Sequence, residues 1–286
     1  MDKLNDKAVE LLCIGHMCHD IRSSGHLLGG TASYASLMSA HLGVDTGLIT
    51  SVGDDFKFMS RFDDKGVQVE KVAARQTTVF ENVYKGDART QHMHARASTI
   101  GAVDIPEAWL SVPTVKFCLI ADEIDSEVVR SFSHSFRAAT IQGWLRQWND
   151  DGLISPKDLD MNLLDGMDMI FLSEDDISGD DLLLSQMRSK VETVVMTRGS
   201  LPAKIYRGKT ELEFPVYPVQ EVDPTGAGDI FAISFLIHYR RTESLVLSAA
   251  YAHSAASFVV EHIGVFLPPV QDIERRYTSY IEQFIS

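Results

Sequence analysis

Cysteine is scarce. Cys13, Cys18 and Cys118 are the whole complement of a 286-residue chain, an odd and sparse set that fits free thiols in a reducing compartment better than a disulfide framework. Long apolar runs are missing too. The longest candidate, residues 230–239, falls well short of the roughly 18–20 apolar residues of a membrane span and contains Ser234 and His238. The opening residues 1–7 are polar and lack the apolar segment of a secretory signal, so the expected location is cytoplasmic, with no membrane partner. Positive charge is in deficit: Lys+Arg 26 against Asp+Glu 40 gives a net charge of −14. The repulsive field of such a chain argues against non-specific binding to nucleic acid or anionic lipid. An anionic ligand stays open, because it needs only local donors. Neither Gly-x4-Gly-Lys-Ser/Thr nor Gly-x-Gly-x-x-Gly occurs, which speaks against a P-loop enzyme and a nicotinamide dehydrogenase. Repeats and low-complexity linkers are likewise absent.

What is there reads as a folded α/β protein. Hydrophobic residues make up 45% and charged residues 23%, an ordinary globular composition. A compact chain of this length can bury roughly three-quarters of its unfolded surface. Residues 11–15 form a short apolar run ended by Gly15, a strand. Gly29-Gly30 opens a helix over 31–42, with Gly43 placed as its C-cap. Residues 46–52 read as the next strand, stopped by Gly53-Asp54-Asp55, and this strand–helix–strand start begins a parallel α/β pattern. Residues 75–99 break the rhythm. Thr77, Val79, Asn82 and Tyr84, a turn at Lys85-Gly86-Asp87, and a return with His92, His94 and Arg96 at period two predict a polar hairpin standing off the main sheet. Strands are then expected at 115–120, 138–141, 167–172 and 191–197, and a helix at 126–136. A second hairpin over 203–216 turns at Arg207-Gly208-Lys209, and helices cover 226–239, 243–260 and 272–284. The prediction is one α/β domain over 1–286: a mostly parallel sheet with helices on both faces and a small β lid at 75–99.

The sharpest feature is Asp223-Pro224-Thr225-Gly226-Ala227-Gly228-Asp229 at the start of an apolar helix. The first N–H groups of a helix have no partner inside it, and the positive end of the helix dipole lies behind them. Such a place binds an anion, most naturally a phosphoryl group, and Gly226 and Gly228 let it approach the backbone. The expected anion hole is therefore Gly226, Ala227 and Gly228. A carboxylate beside it, Asp229, would repel the anion unless it accepts the proton of a hydroxyl that attacks phosphorus. A plain helix start with Asp in its first turn explains the Asp and one glycine but not the whole string.

With this string the sequence resembles the ribokinase-like sugar kinases of the PfkB family, whose C-terminal signature reads Asp-Thr/Pro-Thr-Gly-Ala-Gly-Asp. The resemblance runs through nearly the whole chain in order. It implies Asp20, in Gly15-x4-Asp20, as the substrate-binding aspartate, with Gly29 and Gly30 as the N-terminal family signature beside it. Val52-Gly53-Asp54-Asp55 matches the family's strand-turn. Thr197 and Gly199 would lie near the nucleotide phosphates with Thr225 and Gly228, and residues 252–264, with His253 and Ser257, would cover the adenine. Family members often carry Asn four residues after the glycine pair; here that place is Tyr34, counted with the substrate site. The usual Asn-x-x-Glu that organises the metal's water shell appears as Ser173-Glu174-Asp175-Asp176, leaving Asp176 as the metal candidate, through water. The implied cofactors are ATP and Mg²⁺, with a monovalent cation as a further candidate. The segment between Asp20 and Gly29 is short, so a reduced first lid element is expected and the 75–99 hairpin would supply most of the lid.

Weaker signals have plain readings. Cys13, His16, Cys18 and His19 match no usual zinc spacing, although His16 or His19 could line the substrate site. His92, His94 and Arg96 read as solvated lid surface, with substrate contact as the alternative. Arg146 could meet a phosphate or a surface carboxylate, and Asp150-Asp151 and Asp180-Asp181 read as turn residues. The favoured acceptor is a small neutral polyhydroxylated molecule, a cyclitol such as myo-inositol. Asp20 suits hydroxyls and would repel a sugar phosphate, and Arg22 is the only Lys or Arg between Asp20 and Gly30. The strings Gly29-Gly30-Thr31-Ala32-Ser33-Tyr34, His94-Ala95-Arg96-Ala97 and Gln142-Gly143-Trp144-Leu145-Arg146 are similar to the inositol-kinase branch of the family. Two alternatives stay open: a nucleoside kinase in which Tyr34 and Phe80 clamp a base, and a non-catalytic sugar- or nucleotide-binding regulator, against which an intact Asp229 argues. A monomer and a homodimer are both compatible with the sequence.

Overall fold

The computed structural model describes residues 8–23, 25–85 and 88–285. The predicted turn at Gly86-Asp87 and the polar opening at 1–7 lie outside the described residues. The chain begins β1 (Leu11–Ile14), β2 (Cys18–Arg22), β3 (Gly25–Gly29), α1 (Thr31–His41), β4 (Thr46–Val52), α2 (Ser60–Asp63) and β5 (Gln68–Ala73). It continues through β6 (Thr78–Lys85), β7 (Ala88–Ala95), β8 (Thr114–Cys118), α3 (Ser126–Ser131), β9 (Phe136–Thr140), β10 (Arg146–Trp148) and β11 (Ile154–Pro156). The last part holds β12 (Met169–Ser173), α4 (Glu174–Ile177), α5 (Asp181–Lys190), β13 (Thr193–Arg198), β14 (Leu201–Arg207), β15 (Thr210–Phe214), α6 (Ala227–Thr242), α7 (Leu245–Val259) and α8 (Val270–Phe284).

Side-chain alternation sets the layering. On β1, Leu11 and Cys13 enter one apolar core while Leu12 and Ile14 enter another, because successive residues of a strand point to opposite faces. The first core takes α1, α6 and α7; the second takes Val128, Val129 and Phe132 around α3 with Leu184 and Met187 of α5. Phe235 and Leu236 of α6 are fully buried, and burying a side chain of that size contributes about 1.5–3 kcal/mol. Helix α1 is buried along almost its whole length, between the sheet and α6. Its small residues allow this, and the Ser33 and Ser36 hydroxyls donate back to the Gly29 and Ala32 carbonyls at 2.7 Å, so neither serine hydroxyl is stranded.

The main sheet has nine strands in the order β15-β14-β13-β12-β9-β8-β1-β4-β5. It is parallel from β13 to β5 and closes at one edge with the antiparallel β14–β15 hairpin. The chain leaves β1 toward β4 and β5 and later returns on β1's other side through β8. A sheet of this kind opens a ligand crevice at the carboxyl ends of the strands where the order reverses. The mostly parallel α/β sheet with helices on both faces is as expected from the sequence.

The lid differs from expectation. A second sheet of four strands runs β3-β2-β6-β7, so the short stretch after Asp20 is a complete hairpin and not a reduced element. Cys18 pairs with Gly29 and Arg22 with Gly25, and β2 joins β6 in parallel, Cys18 against Thr78 and Asp20 against Phe80. The 75–99 segment supplies only β6 and β7. The outer strand β7 is covered by β10–β11: Met93 N–H donates to Gly152 O at 2.8 Å. Three local expectations also shift. Helix α3 stops at Ser131 because Phe136 starts β9, paired with Thr114. Asp180-Asp181 opens α5, where the Asp180 carboxylate accepts from Leu183 N–H at 2.9 Å. The charged strand β5 was not anticipated.

Candidate active site

Asp229 stands in the first turn of α6, whose N-cap Gly226 has φ 83°. That left-handed conformation favours glycine, and a side chain there would also overlap the phenol ring of Tyr34. The Thr225 N–H donates to Asp223 Oδ1 at 3.0 Å, which fixes the turn. Ala227 corrects an expectation. Its N–H closes the turn onto Pro224 O at 3.2 Å and does not face outward. Among the described residues none accepts from the N–H groups of Gly226, Gly228 and Asp229, so the free donors of this turn include that of Asp229 and not that of Ala227. Gly228 is exposed, and a Cβ on it would meet nothing nearer than Thr197 Oγ1 at 4.0 Å. A side chain there would therefore meet open space and add no backbone strain.

The carboxyl of Asp229 is pushed up to about 6, mainly by burial; a hydrogen bond from Thr31 and the charge of Lys116 act the other way, and Asp176 and Asp20 add repulsion. Thr31 Oγ1 donates to Asp229 Oδ1 at 2.8 Å, so the first residue of α1 aims the carboxylate. Lys116, wholly buried on β8, donates to Thr140 Oγ1 at 2.7 Å and stands 4.2 Å from the centre of the Phe171 ring. Burial pulls its ammonium down to about 8.

The lid brings Asp20 over this floor. Asp20 lies against Gly29, where a Cβ would collide with its carboxylate, and Cys18 Sγ donates to Asp20 Oδ1 at 3.6 Å. Gly30, at φ 91°, packs so closely that a Cβ would fall 2.6 Å from His16 O. Two residues beyond Asp20, Arg22 Nη2 donates to Thr225 Oγ1 at 3.1 Å and lies 3.4 Å from Asp223 Oδ2. The lid is therefore fastened to the turn that carries the N–H donors. His16 is a bracket beneath it: its ring bonds Ser98 O and Thr78 Oγ1, each at 2.8 Å, and its N–H donates to the buried Glu123 carboxylate. Glu123 also accepts from the N–H groups of Ile120 and Ala121, which shapes the end of β8. His19 stacks on His26 and Phe56, away from Asp20.

The remaining expected residues divide. Thr197 adjoins Gly228, and Gly199, at φ 58°, lies in the open turn after β13. Asp176 is the third residue of a capping box. Its Oδ2 accepts from Ser173 N–H and its Oδ1 from Gln142 Nε2, each at 2.8 Å. His253 and Ser257 require correction. The His253 ring stacks on Tyr280 and meets Phe231 edge-on, and burial lowers it to about 3, so it stays neutral. Ser257 donates to Ser254 O and accepts from Arg276 Nη1, each at 2.8 Å. Both belong to the packing of α7 and not to a nucleotide surface. Exposed apolar groups instead flank the segment after α7: Ile263, 70% exposed, and Val222, 58% exposed. Val222 and Asp223 both donate to Val260 O, tying that segment to the turn. Phe80 is buried with Cys18, Met93, Ile120 and Ala121. His94 pairs with Glu81 at 2.7 Å on exposed lid surface. Arg96 donates to the Ala121 and Asp122 carbonyls.

Thr31, Lys116, Arg22 and Glu123 were missed by sequence reasoning. Thr31 alone had a signal, as a hydroxyl directly after the glycine pair at a helix start; a single Lys in a strand and a single Glu after it carry none.

The profile of the pfkB family carbohydrate kinases matches residues 19–271. Inositol 3-kinase of Arabidopsis thaliana is 26% identical over 274 residues, covering 89% of this chain and 74% of that protein. Cytidine kinase of Thermococcus kodakarensis is 26% identical over 262 residues, covering 83% and 91%. Among solved structures, a pyrophosphate-dependent kinase in the ribokinase family, in complex with sulfate, superposes with a TM-score of 0.80 at 21% identity, covering 92% of this chain and 99% of that one. Ribokinase of Arabidopsis thaliana, complexed with ribose and ATP, gives 0.74 at 18%, covering 95% and 99%.

Proposed function

Since the chain belongs to the pfkB family of carbohydrate kinases and is a phosphotransferase with the ribokinase-like α/β fold, we propose that it transfers the terminal phosphoryl group of ATP to a hydroxyl of a small neutral polyol, with a cyclitol such as myo-inositol as the leading acceptor. The observation that carries this is the placement of Asp229: a carboxylate aimed by Thr31 beside unpartnered N–H groups, with a second carboxylate, Asp20, on the lid. Asp229 accepts the acceptor's proton as its oxygen attacks phosphorus, the bond from phosphorus to the donor's bridging oxygen breaks, and ADP leaves. A base held at about 6 is ionised at neutral pH yet basic enough to take that proton. The N–H groups of Gly226, Gly228 and Asp229 offset the charge on the equatorial oxygens, which is the main demand of phosphoryl transfer.

Asp20 receives hydrogen bonds from the acceptor's other hydroxyls. Arg22 does not make this an anion-binding acceptor site, because its guanidinium is turned to Thr225 and Asp223. A nucleoside acceptor is less well supported, since Phe80 is packed into the lid base and does not form an open clamp. The similarity to inositol 3-kinase favours the cyclitol. Val222 and Ile263 offer apolar surface for the adenine.

Among the described residues no group of three or more His, Cys, Asp or Glu could hold a metal ion. Mg²⁺ would keep most of its waters and bind the phosphates through few protein ligands. Asp176 would hold one of those waters, since each of its oxygens is engaged by only one N–H. Bound there, Mg²⁺ would neutralise phosphate charge.

Steady-state kinetics with myo-inositol, ribose, fructose, cytidine and fructose 6-phosphate, each with ATP and with pyrophosphate, tests the assignment. The highest kcat/KM is expected for myo-inositol with ATP. A preference for cytidine or the sugar phosphate overturns the polyol assignment, and a preference for pyrophosphate overturns the donor.

A further inference from the structure

Tyr34 is an unusual side chain to find at this site. It is 2% exposed, and its hydroxyl oxygen is buried with no hydrogen-bond partner. A buried hydroxyl without a partner is costly, so one held at a functional site calls for a reason. The hydroxyl end of its ring packs directly against Gly226, where a Cβ would overlap Cε1 and Cζ. The orphan donor thus lies beside the first unpartnered N–H of the anion hole. Burial first, and then the charges of Asp229, Asp20 and Asp223, push the phenol far above its ordinary range, so it keeps its proton. A neutral O–H among carboxylates, with nothing to donate to, is arranged for an anionic oxygen that arrives with a ligand.

We propose that the Tyr34 hydroxyl is a side-chain donor of the anion hole, giving its hydrogen bond to an oxygen of the phosphoryl group held over Gly226 and Gly228. This rests on the kinase assignment above and adds to it a catalytic residue outside the glycine string. Tyr34 also walls the acceptor side, but its hydroxyl acts on the phosphoryl group and not on the acceptor.

The test compares wild type with Tyr34→Phe, which keeps the ring and removes only the oxygen. The probe is inorganic tripolyphosphate, followed by titration calorimetry and thermal unfolding. The free variant is expected to unfold at the same or a higher temperature, because an unpartnered buried hydroxyl is gone. Its tripolyphosphate affinity is expected to fall at least about tenfold, the loss of one hydrogen bond to a charged group. In turnover, kcat should fall while the KM for the acceptor holds. Equal tripolyphosphate affinity in the two proteins overturns the proposal and leaves the kinase assignment standing. So does a lower unfolding temperature with unchanged affinity, which would mean a structural partner. A raised acceptor KM at unchanged kcat overturns it by placing the hydroxyl on the acceptor. Tyr34→Asn is the second variant: a gain in turnover there would mean that the ring is a plug, and overturns the proposal. If wild type itself fails to bind tripolyphosphate, the anion hole and the Tyr34 proposal fall together.

Discussion

Asp229 and its N–H donors come from one uninterrupted string, Asp223 to Asp229, whereas the groups that face them come from β2, α1, β8 and α4. The string is local chemistry. Its turn closes through Asp223 to Thr225 and through Ala227 to Pro224, and Gly226 supplies the left-handed bend. The gathered half depends on the whole fold. Asp20 and Arg22 reach the site only because β2 pairs with both β3 and β6. Lys116 reaches it only because β8 runs beneath α1, which packs against α6 in the same core. In the proposed reaction the string therefore provides the general base and the N–H donors, and the gathered half sets their aim, protonation and closure and adds the Tyr34 hydroxyl. Tyr34 apart, substitutions in the two halves should fail differently, the first in rate and the second in KM or pH dependence.

The largest effect is expected in the string. Asp229→Asn should lower kcat at least ~10²-fold, the usual scale for a lost general base, with donor binding little changed. In wild type, kcat should fall as pH drops through about 6, where the Asp229 carboxylate takes up its proton. Turnover near normal in the Asn variant, or an acid limb unchanged by it, would remove Asp229 from its role.

How much was legible follows the same division. The string could be read because its residues are neighbours in sequence and its helix start obeys general rules for N–H groups and dipoles. The parallel sheet was legible in its apolar strands, but β5 was not: Gln68, Glu70 and Lys71 mask an edge strand whose pairing to β4 supplies its stability. The β2–β3 hairpin was hidden by brevity, since two five-residue strands fill the space from Cys18 to Gly29 almost completely. The Ala227 N–H was misplaced because a row of free donors assumes that no turn precedes the helix; Pro224 O takes one of them. His253 was misplaced because position along α7 does not reveal which helix face meets Phe231 and Tyr280. Lys116 was invisible because its role depends on a neighbour 113 residues away, and a lone lysine in a strand gives no hint of being wholly buried.

The lid latch comes next in size. Arg22 is partly exposed, at 26% of its side chain, and its contact with Asp223 is long at 3.4 Å. Pairs of this kind contribute on the order of 0.2–1 kcal/mol. Arg22→Gln should therefore raise the donor KM about fivefold or less, with kcat nearly kept, and hydrogen exchange over residues 18–29 should quicken. Loss of turnover on the scale of Asp229→Asn would contradict the latch and place the guanidinium among the reacting groups.

The smallest effect is expected at Lys116, and it should show in pH and not in rate. The Asp229 carboxylate is faced by Thr31 from α1, Lys116 from β8, Asp176 from α4 and Asp20 from β2, and Lys116 is the cation among them. Lys116→Met removes that charge at similar volume, so the acid limb of kcat should move to higher pH, by about one unit at most. Above the limb the variant should run nearly as fast as wild type. Stability supplies an independent sign. Burial holds the wild-type ammonium at about 8 against an ordinary 10.5. Between those values the unfolded chain binds more protons than the folded one, so wild-type stability should rise with pH across that window. Urea unfolding midpoints from pH 8 to 10 should show the rise in wild type and lose Lys116's share of it in Lys116→Met. A limb that stays in place in the variant would mean that Lys116 serves the core alone.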